Sequence, residues 1–228
     1  MSLGFRVVDG HRRADAGMVA AFRDIPTAII SDNLGRMIAA GPTVRPMHRI
    51  EGGKGRLAGT ALTVKTRPGD NLMIHKAADM AQEGDVIVVD GGGDATNALI
   101  GELIITHARR NGAVGFVVNG AVRDLDAIAA DTFPVYGTGV SHRGPYKDGP
   151  GEVGLPISLD GMVIEPGDII VGDLDGVVAI PVAHAEETLK LARAQQEKEA
   201  TIQAAINGEG WDRTWVDELL RERGCSGV

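Results

Sequence analysis

Three apolar runs separated by two amphipathic stretches constrain this chain more than any other feature. Asp85-Val86-Ile87-Val88-Val89-Asp90 is almost continuously branched and aliphatic, the pattern of a strand covered on both faces. Gly91-Gly92-Gly93 ends it, and a helix is predicted from about Gly101 to Arg110, stopped by Asn111-Gly112. Ala113 to Val118 is a second buried strand, closed by the turn Asn119-Gly120. A short helix over Arg123 to Ala130 and a third strand over Phe133 to Tyr136 complete the unit. Strand–helix–strand–helix–strand implies parallel neighbours in one sheet.

The flanks are less regular. Short helices are predicted over 15–24 and from Thr27 to Leu34, then a Gly/Pro-rich, basic loop over 40–56. Leu57 to Lys65 reads as a strand rich in β-branched residues. After the turn Pro68-Gly69-Asp70, Asp70 is placed to cap a helix reaching about Gln82. Residues 137–156 are again rich in Gly and Pro. Strands follow at Met162–Ile164, Asp168–Val171 and Gly176–Ile180, with Asp173-Leu174-Asp175-Gly176 as a hairpin turn. A long polar helix over 182–207 and another over Trp211–Arg221 end the chain. No composition shift marks a boundary. The expected architecture is one α/β domain over 1–228 with a mixed, barrel-like central sheet flanked by helices. Residues 182–228 form a C-terminal helical arm whose polarity suits packing on a neighbouring subunit.

Composition excludes several classes. A formal charge of −8 lacks the basic footprint of a nucleic-acid binder. No apolar run approaches the roughly 20 residues a membrane helix needs, and residues 1–15 lack the apolar core of a signal peptide. The single cysteine, Cys225, forms no disulfide within the chain, which fits a cytoplasmic setting. Glycine is the outlier, 32 of 228 residues, twice the usual share of about 7%. Without a short period, that excess implies many tight turns and close backbone approaches.

Chemistry concentrates between Gly91 and Asp124. The ends of strands in an α/β sheet are where ligands bind. The helix starting near Gly101 presents free amides at Glu102, Leu103 and Ile104, and with its dipole makes an anion site. Glu102 is either a functional carboxylate or one that only complements the dipole. Arg123 and Asp124 follow a second strand and should reach the same sheet edge. Magnesium needs only one or two carboxylates, completed by water and substrate oxygens, and an arginine fork binds carboxylate or enolate oxygens. The same two residues can equally be a solvated pair at a helix start.

The spacing Gly101-Glu102, twenty residues, Arg123-Asp124, preceded by Val117-Val118-Asn119-Gly120, resembles the RraA-like family. The resemblance runs from about Thr27 to Ala183. It includes Gly84-Asp85, Val88-Val89-Asp90, Pro166-Gly167-Asp168, Gly172-Asp173 and Asp175-Gly176-Val177-Val178. It implies a fold of the swivelling β/β/α type. It also implies a metal-dependent (class II) aldolase that cleaves 4-hydroxy-4-methyl-2-oxoglutarate-like acids to pyruvate, with oxaloacetate decarboxylation as a side activity. Carried over, Asp124 would bind Mg²⁺ or Mn²⁺ directly and Glu102 would hold its waters. Arg123 would contact the keto oxygen, and the amides of Leu103 and Ile104, next to Gly101, would hold the carboxylate. Glu199, or Glu197, from an adjacent subunit would reach the metal waters in a homotrimer or a hexamer. Characterised aldolases of the family usually carry Asp where this chain has Glu102. The family's ribonuclease regulators lack an acid there, so a regulator binding a ribonuclease or helicase is the alternative that Glu102 argues against.

Other motifs are set aside. His75, within a predicted helix, is read as structural, and no His/Cys/carboxylate cluster has zinc spacing. His142 with Arg143 is a further candidate contact for a distal carboxylate. Gly91-Gly92-Gly93 is not a dinucleotide fingerprint, and neither a P-loop nor a Gly-x-Ser-x-Gly elbow occurs.

Overall fold

The computed structural model describes residues 4–10, 13–208 and 210–228. Residues 1–3, 11 and 12, part of the stretch considered for a signal peptide, lie outside the described residues. In chain order the strands are β1 (Phe5–Val7), β2 (Arg45–Pro46), β3 (Leu57–Thr66), β4 (Asp85–Asp90), β5 (Ala98–Ile100), β6 (Gly115–Asn119) and β7 (Ala121–Val122). Then come β8 (Val135–Gly137), β9 (Gly139–Val140), β10 (Gly151–Val153), β11 (Ile157–Leu159), β12 (Met162–Ile164), β13 (Ile169–Gly172) and β14 (Val177–Ile180). The helices are α1 (Ala16–Phe22), α2 (Thr27–Asn33), α3 (Leu72–Met80), α4 (Glu102–Arg110), α5 (Leu125–Ala130), α6 (Ala185–Asn207) and α7 (Thr214–Glu222).

The parallel unit forms as its apolar runs require. β3, β4, β6 and β8 lie side by side and parallel. Successive side chains of a strand point to opposite faces, and both faces here are covered. Ile87 and Val89 of β4, with Phe116 and Val118 of β6, join the layer of α3 and α4. Val86, Val88 and Val117 join the layer of β11 and β12 on the other face. Burial on both sides explains runs without polar alternation.

The sheet is mixed. Antiparallel β10 and β13 pair with the two ends of β3, on residues 64–66 and 57–60. The β13–β14 hairpin turns at Asp173–Gly176, as its sequence predicts. Ala39 bridges Val178 of β14, Arg45 donates to the Asp175 carbonyl, and the Tyr136 hydroxyl donates to the Asp173 carbonyl. These contacts curl the β8–β2 edge toward the hairpin, which gives the sheet its barrel-like form.

Several local expectations shift. Residues 137–156 are more than loop, because they contain β9 and β10. Helix α5 starts at Leu125 rather than Arg123, since Asp124 is left-handed at φ 59°, ψ 41°. Asn71, not Asp70, precedes α3, although Asp70 Oδ1 still accepts the Leu72 amide. The chain divides into two compact units, Met1–Ala192 and Arg193–Val228, with the division inside α6. Ala185, Thr188, Leu189 and Ala192 of α6 are buried in the first unit, whereas α7 buries no residue. Among the described residues, no helix is long and apolar enough to cross a membrane.

Candidate active site at the carboxyl edge of the sheet

Three of the four parallel strands are prolonged past their carboxyl ends. β4 leads to β5, β6 to β7 and β8 to β9, and β5, β7 and β9 pair with one another as a small parallel sheet. This second sheet brings residues 101–102 and 123–124 together. The Arg123 amide donates to the Ile100 carbonyl at 3.0 Å, so the β5–α4 and β7–α5 junctions run alongside each other.

Asp124 occupies the N-cap position of α5, yet its side chain makes no capping bond to that helix. Instead Asp124 Oδ2 accepts the Glu102 amide of α4 at 3.0 Å. One junction thus caps the other's helix. The left-handed backbone of Asp124 belongs to the costly non-glycine conformations that persist where surrounding structure enforces them, and such strain clusters at functional sites. Gly101 makes the close approach possible. A Cβ there would press on Asp124 Oδ2 and lie 2.9 Å from Arg123 Cγ. Helix geometry leaves the Leu103 and Ile104 amides without an intrahelical acceptor, since the first bond of α4 runs from the Ile105 amide to Gly101.

Two cavities flank this junction, with opposite charge. One, of about 250 Å³, is lined by Gly101, Leu103, Ile104 and Arg123, together with Asn71, His75 and Lys147. Its ionisable groups are cationic or imidazole, so it suits an anion. The other, of about 290 Å³, is lined by Glu102, Asp124 and Asp126, and its carboxylates suit a cation. The side chains of Arg123 and Asp124 are each 42% exposed, and Arg123 Nε stands 3.8 Å from Asp124 Oδ2. Only one oxygen of Asp124 is engaged by the Glu102 amide, so the other is free to bind a ligand.

The donor set bears on the implied metal. Among the described residues, no three His, Cys, Asp or Glu side chains converge to ligate one ion. A transition-metal site of the zinc type needs three or four such ligands. Magnesium keeps several waters and takes one or two carboxylates, which fits Asp124 beside Glu102. Glu199 lies exposed on the part of α6 within the second unit, and accepts a bond from Gln195 at 2.8 Å.

Two lining residues, Asn71 and Lys147, were not singled out from sequence, and a third, His75, was read only as structural. Asn71 and His75 sit at the start of α3, whose approach from β3 brings them to the same edge. His75, read from sequence as structural, is exposed and lines the cavity. Desolvation of its ring by the surrounding protein, and the charge of Lys147, push its pKa below the usual value, against the opposing charge of Asp79. His142 and Arg143 do not line the cavity; their neighbours Gly144, Pro145 and Lys147 do. That segment is fixed by Asp70, whose Oδ2 accepts the Asp148 and Gly149 amides. The position of Asp70 after β3 was the available signal for these groups, but its partners lie almost eighty residues away.

A family model described as RraA-like, Aldolase/RraA, matches residues 27–179. The chain belongs to the RraA-like family. A relative from Halalkalibacterium halodurans, named "Putative 4-hydroxy-4-methyl-2-oxoglutarate aldolase", is 38% identical over 195 residues, covering 86% of this chain and 91% of its own. A solved structure of an uncharacterized protein from Pseudomonas syringae matches with a TM-score of 0.75 and 26% identity, over 87% of this chain and 96% of the other. The RNA-processing inhibitor RraA from Thermus thermophilis matches with a TM-score of 0.61 and 30% identity, over 69% of this chain and 93% of the other. The RraA-like fold therefore extends across the parallel unit and the β13–β14 hairpin.

Proposed function

We propose that this RraA-like chain is a lyase that cleaves 4-hydroxy-2-oxo acids of the 4-hydroxy-4-methyl-2-oxoglutarate type to pyruvate, using Mg²⁺ or Mn²⁺. The observation that carries this reading is the 3.0 Å bond from the Glu102 amide to Asp124. It joins an anion-suited cavity containing Arg123 to a carboxylate-lined one. The name of the Halalkalibacterium halodurans relative supports the substrate class.

Asp124 would hold the cation through its free oxygen, with Glu102 ordering the cation's waters. When bound, the cation supplies Lewis-acid polarisation of a 2-oxo group. The Leu103 and Ile104 amides, at the positive end of α4, hold the substrate's 1-carboxylate. Arg123 donates its fork to the 2-oxo oxygen and stabilises the negative charge that develops there. The C4 hydroxyl loses its proton to a base, and the C3–C4 bond breaks. Its electron pair passes to the enolate of pyruvate while C4 becomes a carbonyl. Protonation at C3 releases pyruvate. Loss of CO₂ from oxaloacetate leaves the same enolate, so one site serves both reactions. The working form in this proposal is a cytoplasmic homotrimer or hexamer, in which Glu199 of a second copy would help to hold the cation.

The test is pyruvate release from 4-hydroxy-4-methyl-2-oxoglutarate and from oxaloacetate, with Mg²⁺ and with chelator. Release that depends on the cation is expected. Absence of release from both acids would overturn the lyase reading. The 30% identity to the Thermus RNA-processing inhibitor would then favour a regulator that binds a ribonuclease or helicase.

A further inference from the structure

We propose that His75 is the catalytic base that takes the C4 hydroxyl proton of the substrate and hands it on to C3. The inference rests on the lyase reading for the placement of C4. His75 stands one helical turn after Asn71, and its amide donates to the Asn71 carbonyl at 3.1 Å. Positions one turn apart share a helix face, and both residues line the cavity that contains Gly101, Leu103, Ile104 and Arg123. His75 is exposed, and among the described residues its ring makes no hydrogen bond to the protein. His107 of α4 differs, because its Nε2 is bonded to Asp79 at 2.7 Å. The His75 ring is therefore open to a ligand at the cavity.

The other side chains that line this cavity cannot take a proton from a hydroxyl. Arg123 stays charged and only donates, as does the ammonium of Lys147. The Asn71 amide takes up no proton at neutral pH, and the remaining lining residues are glycine, proline and aliphatic. Glu102 and Asp124 line the opposite cavity, where the lyase reading assigns them to the cation. An imidazole both accepts and gives a proton near neutral pH. Desolvation leads in lowering the His75 pKa, Lys147 and His107 add to it, and Asp79 opposes it. The net shift favours the neutral ring, which has a lone pair for the proton. With the 1-carboxylate at the Leu103 and Ile104 amides and the 2-oxo group at Arg123, C3 and C4 occupy the remaining cavity. A ring nitrogen of His75 takes the hydroxyl proton as the C3–C4 bond breaks. The electron pair of that bond passes to the enolate, and C4 becomes a carbonyl. The imidazolium then gives the proton to C3, and the ring is neutral again. Oxaloacetate has no C4 hydroxyl. Its C3–C4 electron pair passes to the enolate as CO₂ leaves, and C3 takes its proton from water.

The two reactions therefore separate a base from a residue that only binds or supports. His75→Gln keeps a hydrogen-bond donor, cannot take up a proton, and puts a good helix former at an exposed position. With Mg²⁺, the ratio of kcat for 4-hydroxy-4-methyl-2-oxoglutarate cleavage to kcat for oxaloacetate decarboxylation should fall by about a hundredfold or more, the contribution of a positioned general base. A smaller fall, or equal loss in both reactions, overturns the proposal and leaves the lyase reading intact. Calorimetry with 2-oxoglutarate, which has the 2-oxo acid end but no C4 hydroxyl, should give wild-type and variant affinities within about threefold of each other. Affinity lost in step with cleavage would make His75 a binding contact and overturn its role as base. If the wild-type protein cleaves the hydroxy acid but leaves oxaloacetate intact, the cleavage kcat set against 2-oxoglutarate affinity decides between the same outcomes. Wild-type protein that does not cleave the hydroxy acid overturns this inference, and failure on both acids overturns the lyase reading as well.

Discussion

Asp173 and Asp124 both stand at turns that end strands, yet their surroundings differ. Asp173, in the β13–β14 turn, is buried, and its two oxygens accept the Thr27 amide, the Thr27 hydroxyl and the Asp175 amide. Its hydrogen-bonding capacity is taken up by the protein, and it ties α2 to the hairpin. Asp124 is 42% exposed and accepts one amide, from Glu102. Its backbone is left-handed, and its side chain leaves its own helix uncapped. A carboxylate saturated by backbone amides stabilises a fold. One held by a single amide at a cavity mouth has an oxygen left for a ligand.

Four substitutions or conditions can break or sharpen this contrast. Arg123→Ala should lower turnover by about 10²–10³, the usual loss when one donor to a developing oxyanion is removed. Steady-state pyruvate release measures it, and near-normal turnover would refute the role assigned to Arg123. Gly101→Ala should cost roughly tenfold or more in kcat/KM, because a methyl group cannot fit beside Asp124 and Arg123 without moving reacting groups by a fraction of an ångström. Unchanged kinetics would show that the contact between the two junctions is not needed.

Asp173→Ala should act on the other axis. It strands the buried Thr27 donors, and at about 1–3 kcal/mol for an unsatisfied group the melting temperature should fall by roughly 3–10 °C. Turnover per folded molecule should be unaffected, as seen by calorimetry alongside kinetics; a large kcat change would blur the distinction between the regions.

The smallest effect concerns pH. Burial raises the Asp70 pKa, but the Leu72, Asp148 and Gly149 amides and the Arg67 charge outweigh it, so the net shift is downward. A folded-state pKa below the unfolded one contributes stability that is present above the unfolded value near 4 and is lost as pH falls through the folded value. Denaturant unfolding from pH 6 to pH 3 should therefore show a smaller acid loss for Asp70→Asn than for wild type. Identical profiles would remove Asp70 from the groups that hold the segment of Gly144 to Gly149.

Much of the parallel unit was legible because its signals are local. Branched aliphatic runs at β4 and β6, with Gly or Asn-Gly at their ends, indicate strand and turn directly. The hairpin at Asp173–Gly176 was legible for the same reason. β5, β7 and β9 have only two or three residues each, too few for any period to register. β10 exists because it pairs with β3 more than eighty residues earlier, so its own composition reads as loop. His75 was set aside because a histidine in a helix carries no sign of which cavity it faces.

The sequence by itself determined that β4, β6 and β8 are parallel neighbours, and put the acid, arginine and aspartate at their carboxyl edge. Those depend on hydrophobic pattern and spacing along one stretch of chain. Only the tertiary structure decided that Asp124 caps α4 instead of α5, that Gly101 has no room for a side chain, and that Asn71 and Lys147 share a cavity with Arg123. Each of these is a contact between segments distant in sequence, and its energy depends on distance in space.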